Sequence, residues 1–189
     1  KTFWYSSSGL IQAKRSGYTL YNKAFYLANN SLYIEDDTKR EEQLNKASEL
    51  FIKSREEIKE EEWKWLVDDG EAWVAYYRKD YDSAKKGFET VIKKQEKAYL
   101  SFRGLSYVAA AQEKWEESGK NLYKSLTLAP YQGAGIYTYV TTKLIENEKF
   151  ENAKEILEFG EKVYPYSGDI QYLLAKTYLG LKDKEKATN

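Results

Sequence analysis

The side chains available for chemistry in this chain are carboxylates. Its 189 residues hold 30 Asp and Glu, matched by 30 Lys and Arg, with no His, no Cys and no Met. That absence removes imidazole bases, thiolate nucleophiles, disulfides and soft metal ligands together. Asp36-Asp37 and Asp68-Asp69 contain groups suited to acid–base work on a sugar. Such work needs two carboxyls facing each other across a cleft, and neighbours on one helix point apart. The run Glu56-Glu57-Ile58-Lys59-Glu60-Glu61-Glu62 could attract a cation, but its carboxylates diverge and it reads as a solvated helix face. Gly133-Ala134-Gly135 has no third glycine at the dinucleotide spacing and no strand before it. Gly119-Lys120 is followed by Asn121 inside a helix, so neither stretch is a phosphate loop. The chain reads as non-enzymatic, with no cofactor and no metal site.

Balanced charge without long single-sign blocks gives no electrostatic footprint for nucleic acid or an anionic membrane. No apolar run is long enough for a transmembrane segment, and residues 1–10 lack the apolar core of a signal peptide. A start at Lys1 fits a processed or cut chain. With the missing Cys, it sets the expectation of a bacterial envelope or periplasmic protein, a lipoprotein if a lipid-bearing residue lies just upstream; a cytoplasmic location is the alternative. Aromatic content is high, with 18 Tyr and 5 Trp, and those rings need either a core or a partner.

What must position any functional group is a repeated helix. In 81–91, Tyr81, Ala84, Phe88 and Val91 share one face. Forward by 34 residues stand Trp115, Ser118, Leu122 and Ser125, and a further 35 reaches Phe150, Ala153, Leu157 and Gly160. Another 34 reaches Lys184 and Ala187, while a step back of 37 gives Leu44, Ala47, Phe51 and Ser54. This period marks a stacked array in which each unit buries its apolar face against its neighbours.

Along the chain, 1–8 is read as an extended lead whose Phe3, Trp4 and Tyr5 cover the first helix, and 9–29 as a helix carrying Leu10, Ala13, Gly17, Tyr21 and Ala24 on one stripe. Asp36 or Asp37 caps a long helix over 38–62 striped by Leu44, Ala47, Phe51, Ser54 and Ile58. Helices follow over 63–79, 81–91, 98–113, 115–128, 135–147, 150–163 and 169–181, with Asp80 and Asp183 as caps and with stops at Pro130 and Pro165.

The strongest matches, 75–84 with its Asp80-Tyr81 junction, Phe150-Glu151-Asn152-Ala153 with Pro165, and Leu174-Ala175 with Tyr178 and Ala187, resemble the tetratricopeptide repeat (TPR) family over residues 63–189. Residues 1–62 form a divergent N-terminal helix pair, and the repeats run over 63–96, 97–130, 131–165 and a partial 166–189. Ser106 and Thr141 stand where the family prefers a small residue before the turn. The resemblance implies an all-α, right-handed α-solenoid of antiparallel helix pairs, about four pairs plus a partial last helix. It further implies a concave groove that captures a partner protein or peptide. Carried over position by position, the partner-binding residues are Tyr77, Arg78, Arg103, Tyr107, Thr138, Thr142, Tyr172 and Lys176. A family subgroup clamps chaperone-tail carboxylates with Lys and Asn; here those places hold Arg103, Tyr107 and Leu173, so that clamp is absent. The expected function is a protein-interaction scaffold, with an open C-terminal face as a surface for self-association. The alternative is a ligand- or glycan-binding accessory protein of the bacterial cell envelope, with Trp73 near the groove floor.

Overall fold

A computed structural model describes residues 16–183 together with 186 and 187. The expected lead over 1–8 and the start of the first helix, including Leu10 and Ala13, lie outside the described residues. Those described form α1 (Ser16–Asn30), α2 (Asp37–Glu57), α3 (Trp65–Tyr77), α4 (Tyr81–Lys94), α5 (Tyr99–Ala111), α6 (Trp115–Leu128), α7 (Ala134–Glu146), α8 (Phe150–Val163) and α9 (Gly168–Gly180), with no strand among them. They divide into two compact units, residues 1–78 and 79–189. The division expected from the sequence after residue 62 falls within a 3-10 turn, Glu61–Trp63.

In the first unit, α1, α2 and α3 pack on one another. The predicted stripe is the core: Leu44, Ala47, Phe51, Ser54 and Ile58 are all buried. Asp36 caps α2 by accepting the Lys39 backbone N–H at 2.8 Å. The helix ends at Glu57, five residues short of its predicted end. Glu56, Glu57 and Glu60 to Glu62 would crowd negative charge onto the negative pole of the helix dipole. The chain instead turns extended at Ile58, whose side chain stays buried while the acidic residues around it face water.

The second unit repeats one arrangement. Each helix from α4 to α9 packs on the next, and the alternating pairs α5–α7, α6–α8 and α7–α9 also touch, as stacking of hairpins requires. Its core joins Leu122, Leu126, Tyr137, Val140, Leu144, Ile156, Leu157 and Ile170. Each such side chain contributes about 1.5–3 kcal/mol by leaving water. Where first helices turn into second helices, the residues Lys79, Glu113, Glu148 and Lys182 have φ of 64°, 58°, 58° and 63°. At the last three the next amide reaches back to close the helix end: Lys114 N to Ala109 O, Lys149 N to Leu144 O and Asp183 N to Tyr178 O, at 2.8, 2.8 and 2.9 Å. Asp80 and Asp183 cap the helices that follow, accepting the N–H groups of Ser83 and Lys186.

A recurrent close approach sets how consecutive helices stack. A Cβ on Gly104 of α5 would lie 2.3 Å from the ring of Phe88 in α4, and one on Gly70 of α3 would lie 2.3 Å from the ring of Phe51 in α2. The two glycines are 34 residues apart in the chain. Only a residue without a side chain lets the ring approach the helix backbone this closely.

Candidate functional site

First helices of the second unit turn partly outward, and what they show is set by the residues between core positions. On α5, Arg103 and Tyr107 are half-buried and one turn apart. The Arg103 guanidinium donates to Gln132 Oε1 at 3.1 Å, which ties α5 to the turn before α7. Gln132 is itself fixed, its amide donating to Ala129 O at 2.9 Å and to Ser125 Oγ at 3.1 Å. Burial raises the Tyr107 phenol above its ordinary value, opposed by Arg103, so the hydroxyl stays neutral.

On α7, Thr138 and Thr142 are half-buried and turn their hydroxyls into their own helix, Thr138 to Gly135 O and Thr142 to Thr138 O. Between them Tyr139 stands 56% exposed, with its ring centroid 5.2 Å from that of Tyr107. On α9, Tyr172 is 63% exposed and the Lys176 ammonium lies 5.6 Å from its ring centroid, a cation–π arrangement. The expected residues Arg103, Tyr107, Thr138, Thr142, Tyr172 and Lys176 therefore occupy three first helices that pack in sequence, α5 on α7 and α7 on α9.

Tyr77 and Arg78 belong to the first unit, at the end of α3. Tyr77 is buried and its hydroxyl donates to Asn29 Oδ1 at 3.0 Å; Arg78 is exposed, donating to Glu41 Oε1 at 2.9 Å and Asn45 Oδ1 at 2.6 Å. By the correspondence of Gly70 with Gly104, the α3 positions matching Arg103 and Tyr107 are Asp69 and Trp73, and both are buried.

Sequence reasoning did not single out Tyr139 or Gln132. Tyr139 was signalled by its place one residue after Thr138. Gln132 carries no such mark, because its role depends on the path of the turn.

No group of three or more metal-ligating side chains occurs among the described residues, and no described helix is long and apolar enough to cross a membrane. A cleft of about 760 Å³ in the second unit is lined by Leu105, Trp115, Glu116, Glu117, Lys120 and Lys149, among others. Two of its carboxylates are paired, Glu116 with Lys149 at 3.1 Å and Glu117 with Lys85 at 3.3 Å. The Lys149 hydrogen bond and charge hold the Glu116 carboxyl below its ordinary range.

No family model matches the sequence, and comparison with curated proteins gives no match. Solved structures do resemble it. The TPR-like repeats of a putative kinesin light chain from Podosopora anserina align with a TM-score of 0.60 at 14% identity, over 94% of this chain and 92% of that one. MamA AMB-1 aligns at 0.59 and 13%, over 90% of this chain and 85% of that one. YrrB, described as a TPR protein with an unusual peptide-binding site, aligns at 0.55 and 17%, over 93% and 88%. At such identities the likeness establishes the fold: this is an all-α solenoid of helix pairs of the tetratricopeptide-repeat type.

Proposed function

We propose that the chain is a non-enzymatic protein-interaction scaffold, and that the outward face of α5, α7 and α9 captures an extended peptide or a helix of a partner protein. The observation that carries this reading is the Tyr107–Tyr139 ring pair, which spans two successive first helices while leaving Tyr139 over half exposed. Tyrosine supplies a broad rigid contact area at low entropic cost, and its hydroxyl can hydrogen-bond a partner backbone. Tyr172 with Lys176 extends the same chemistry to the third helix. The likeness to YrrB adds support, since that protein is described as having a peptide-binding site.

Affinity capture from the source organism tests it, using the native chain beside a Tyr139→Ala, Lys176→Ala variant. Both positions are exposed, so the variant keeps its helical circular dichroism. A partner retained by the native chain and lost by the variant is the expected result. Equal recovery by both forms would remove this face from the account.

A further inference from the structure

The chain has two prolines, Pro130 and Pro165, and each is followed by a tyrosine. Tyr131 is 75% exposed and Tyr166 is 97% exposed. The two dipeptides stand 35 residues apart, in the turns that lead into α7 and α9.

These turns are held rather than loose. The Tyr137 hydroxyl donates to Pro130 O at 2.9 Å, and the Gln171 amide donates to Pro165 O at 2.8 Å. The turns also hold each other: the Gly133 N–H donates to the Tyr164 hydroxyl at 2.9 Å, and the rings of Tyr131 and Tyr164 meet edge to face, 6.4 Å between centroids and 79° between planes. Neither 129–135 nor 163–168 contains a charged residue. The result is a neutral aromatic edge whose outermost rings are presented by fixed backbone.

We propose that this edge docks a proline-rich segment of a partner in the polyproline II conformation. Three features of the edge favour that occupant over a charged peptide or a helix. A polyproline II strand has no internal hydrogen bonds and offers its carbonyls to outside donors; the Tyr131 and Tyr166 hydroxyls are exposed donors. Tyr131 meets Tyr164 edge to face and is still 75% exposed, so its outer face stays open for a pyrrolidine ring to pack on. The third feature is spacing. Tyr131 and Tyr166 precede first helices that pack on each other, and packed helices lie about 8–10 Å apart. Three residues of polyproline II rise about 9 Å, so prolines on one face of the ligand recur in step with the repeats. In the turn before α5 the corresponding places hold Glu96 and Lys97, so the edge spans two turns and no more.

The edge adjoins the outward face of α5, α7 and α9 through the Arg103–Gln132 hydrogen bond, but Tyr131 and Tyr166 lie outside that face, so either reading can fail alone. The test is an amide-resolved NMR titration of the full chain with a capped decaproline peptide, with a Gly-Ser peptide of equal length as control. Expected shifts fall at Tyr131, Gln132, Gly133, Tyr166, Ser167 and Gly168 for decaproline only. A Tyr131→Lys, Tyr166→Lys variant, which places at both turns the residue already present at Lys97, keeps its helicity and binds about tenfold more weakly or worse, the loss of two aromatic anchors. Absence of shifts at these amides, shifts confined to another surface, an equal response to the control peptide, or undiminished binding by the variant would each overturn the proposal. So would a glycan or a second copy of the chain taking the edge in place of decaproline.

Discussion

The two units share a stacking device and differ in what their first helices hold at matching positions. In the first, Gly70 receives the Phe51 ring; in the second, Gly104 receives the Phe88 ring in the same way. Around that common contact the first unit places ionic groups, Arg55 pairing with Asp68 and Glu71, and Arg78 with Glu41. Where α3 buries Asp69 and Trp73, α5 of the second unit holds the half-buried Arg103 and Tyr107, and its later first helices expose Tyr139 and Tyr172. Stacking and the outward-facing chemistry thus lie at different positions of one repeat, so a face can change its chemistry while the packing beneath it is kept.

The largest effects are expected at the rings. Phe51→Ala and Phe88→Ala each empty a fully buried site and are expected to cost about 3–5 kcal/mol. Hydrogen exchange should show protection lost first in α2 and α3 for the former, and in α4 and α5 for the latter. If one ring proves dispensable, the two contacts are not the same device. Gly70→Ala and Gly104→Ala come next: a Cβ at 2.3 Å from a packed ring forces a shift costing about 1–3 kcal/mol, measurable by urea denaturation. A pairing with Phe51→Leu or Phe88→Leu that recovers part of the loss would confirm that the ring and the new methyl compete for one space.

Smaller effects sharpen the contrast. Glu148→Gly relieves a left-handed backbone at φ 58° and is expected to raise stability by about 0.5–1 kcal/mol in thermal unfolding. Arg55→Ala removes a half-exposed ionic cluster confined to the first unit, costs about 0.5–1 kcal/mol, and loses its effect in high salt.

Acid should act with opposite sign at Glu71 and at the pair Asp80 and Glu116. Burial raises the Glu71 carboxyl above its ordinary value, opposed by Arg55. Ionised Glu71 therefore weighs against the folded state at neutral pH, and that weight lifts as pH falls through its raised value. Side-chain and backbone hydrogen bonds from Ser83 lower the Asp80 carboxyl, and Lys149 lowers that of Glu116. Their stabilisation is complete above the ordinary carboxylate range and is lost as pH drops through the lowered values. Carboxyl chemical shifts followed through an acid titration should place Glu71 above its ordinary value and the other two below.

The repeat was legible in the sequence wherever a large aromatic opens a second helix and a proline soon follows its end. Trp115–Leu128 and Phe150–Val163 match their predicted bounds, and Asp36, Asp80 and Asp183 cap as their spacing implied. Less legible were the turns between paired helices. A left-handed residue is sought at glycine or asparagine, whereas Glu113 and Glu148 hold that conformation because the closing hydrogen bonds of the helix end demand it. The face of the first helices was half legible. The resemblance to the repeat family pointed to Tyr107, Thr138, Thr142 and Tyr172, but the Tyr107–Tyr139 contact depends on how α5 meets α7. Likewise, the correspondence of Asp69 and Trp73 with Arg103 and Tyr107 becomes visible once Phe51 is seen against Gly70.

The most direct test of the central claim is calorimetric titration of a peptide selected from a random library on the native chain, repeated with Tyr139→Ala, Tyr172→Ala and with Arg78→Ala. The double tyrosine variant is expected to bind at least about tenfold more weakly at unchanged helicity, while Arg78→Ala binds as the native chain does. Equal affinity for the tyrosine variant, or a loss confined to Arg78→Ala, would contradict it.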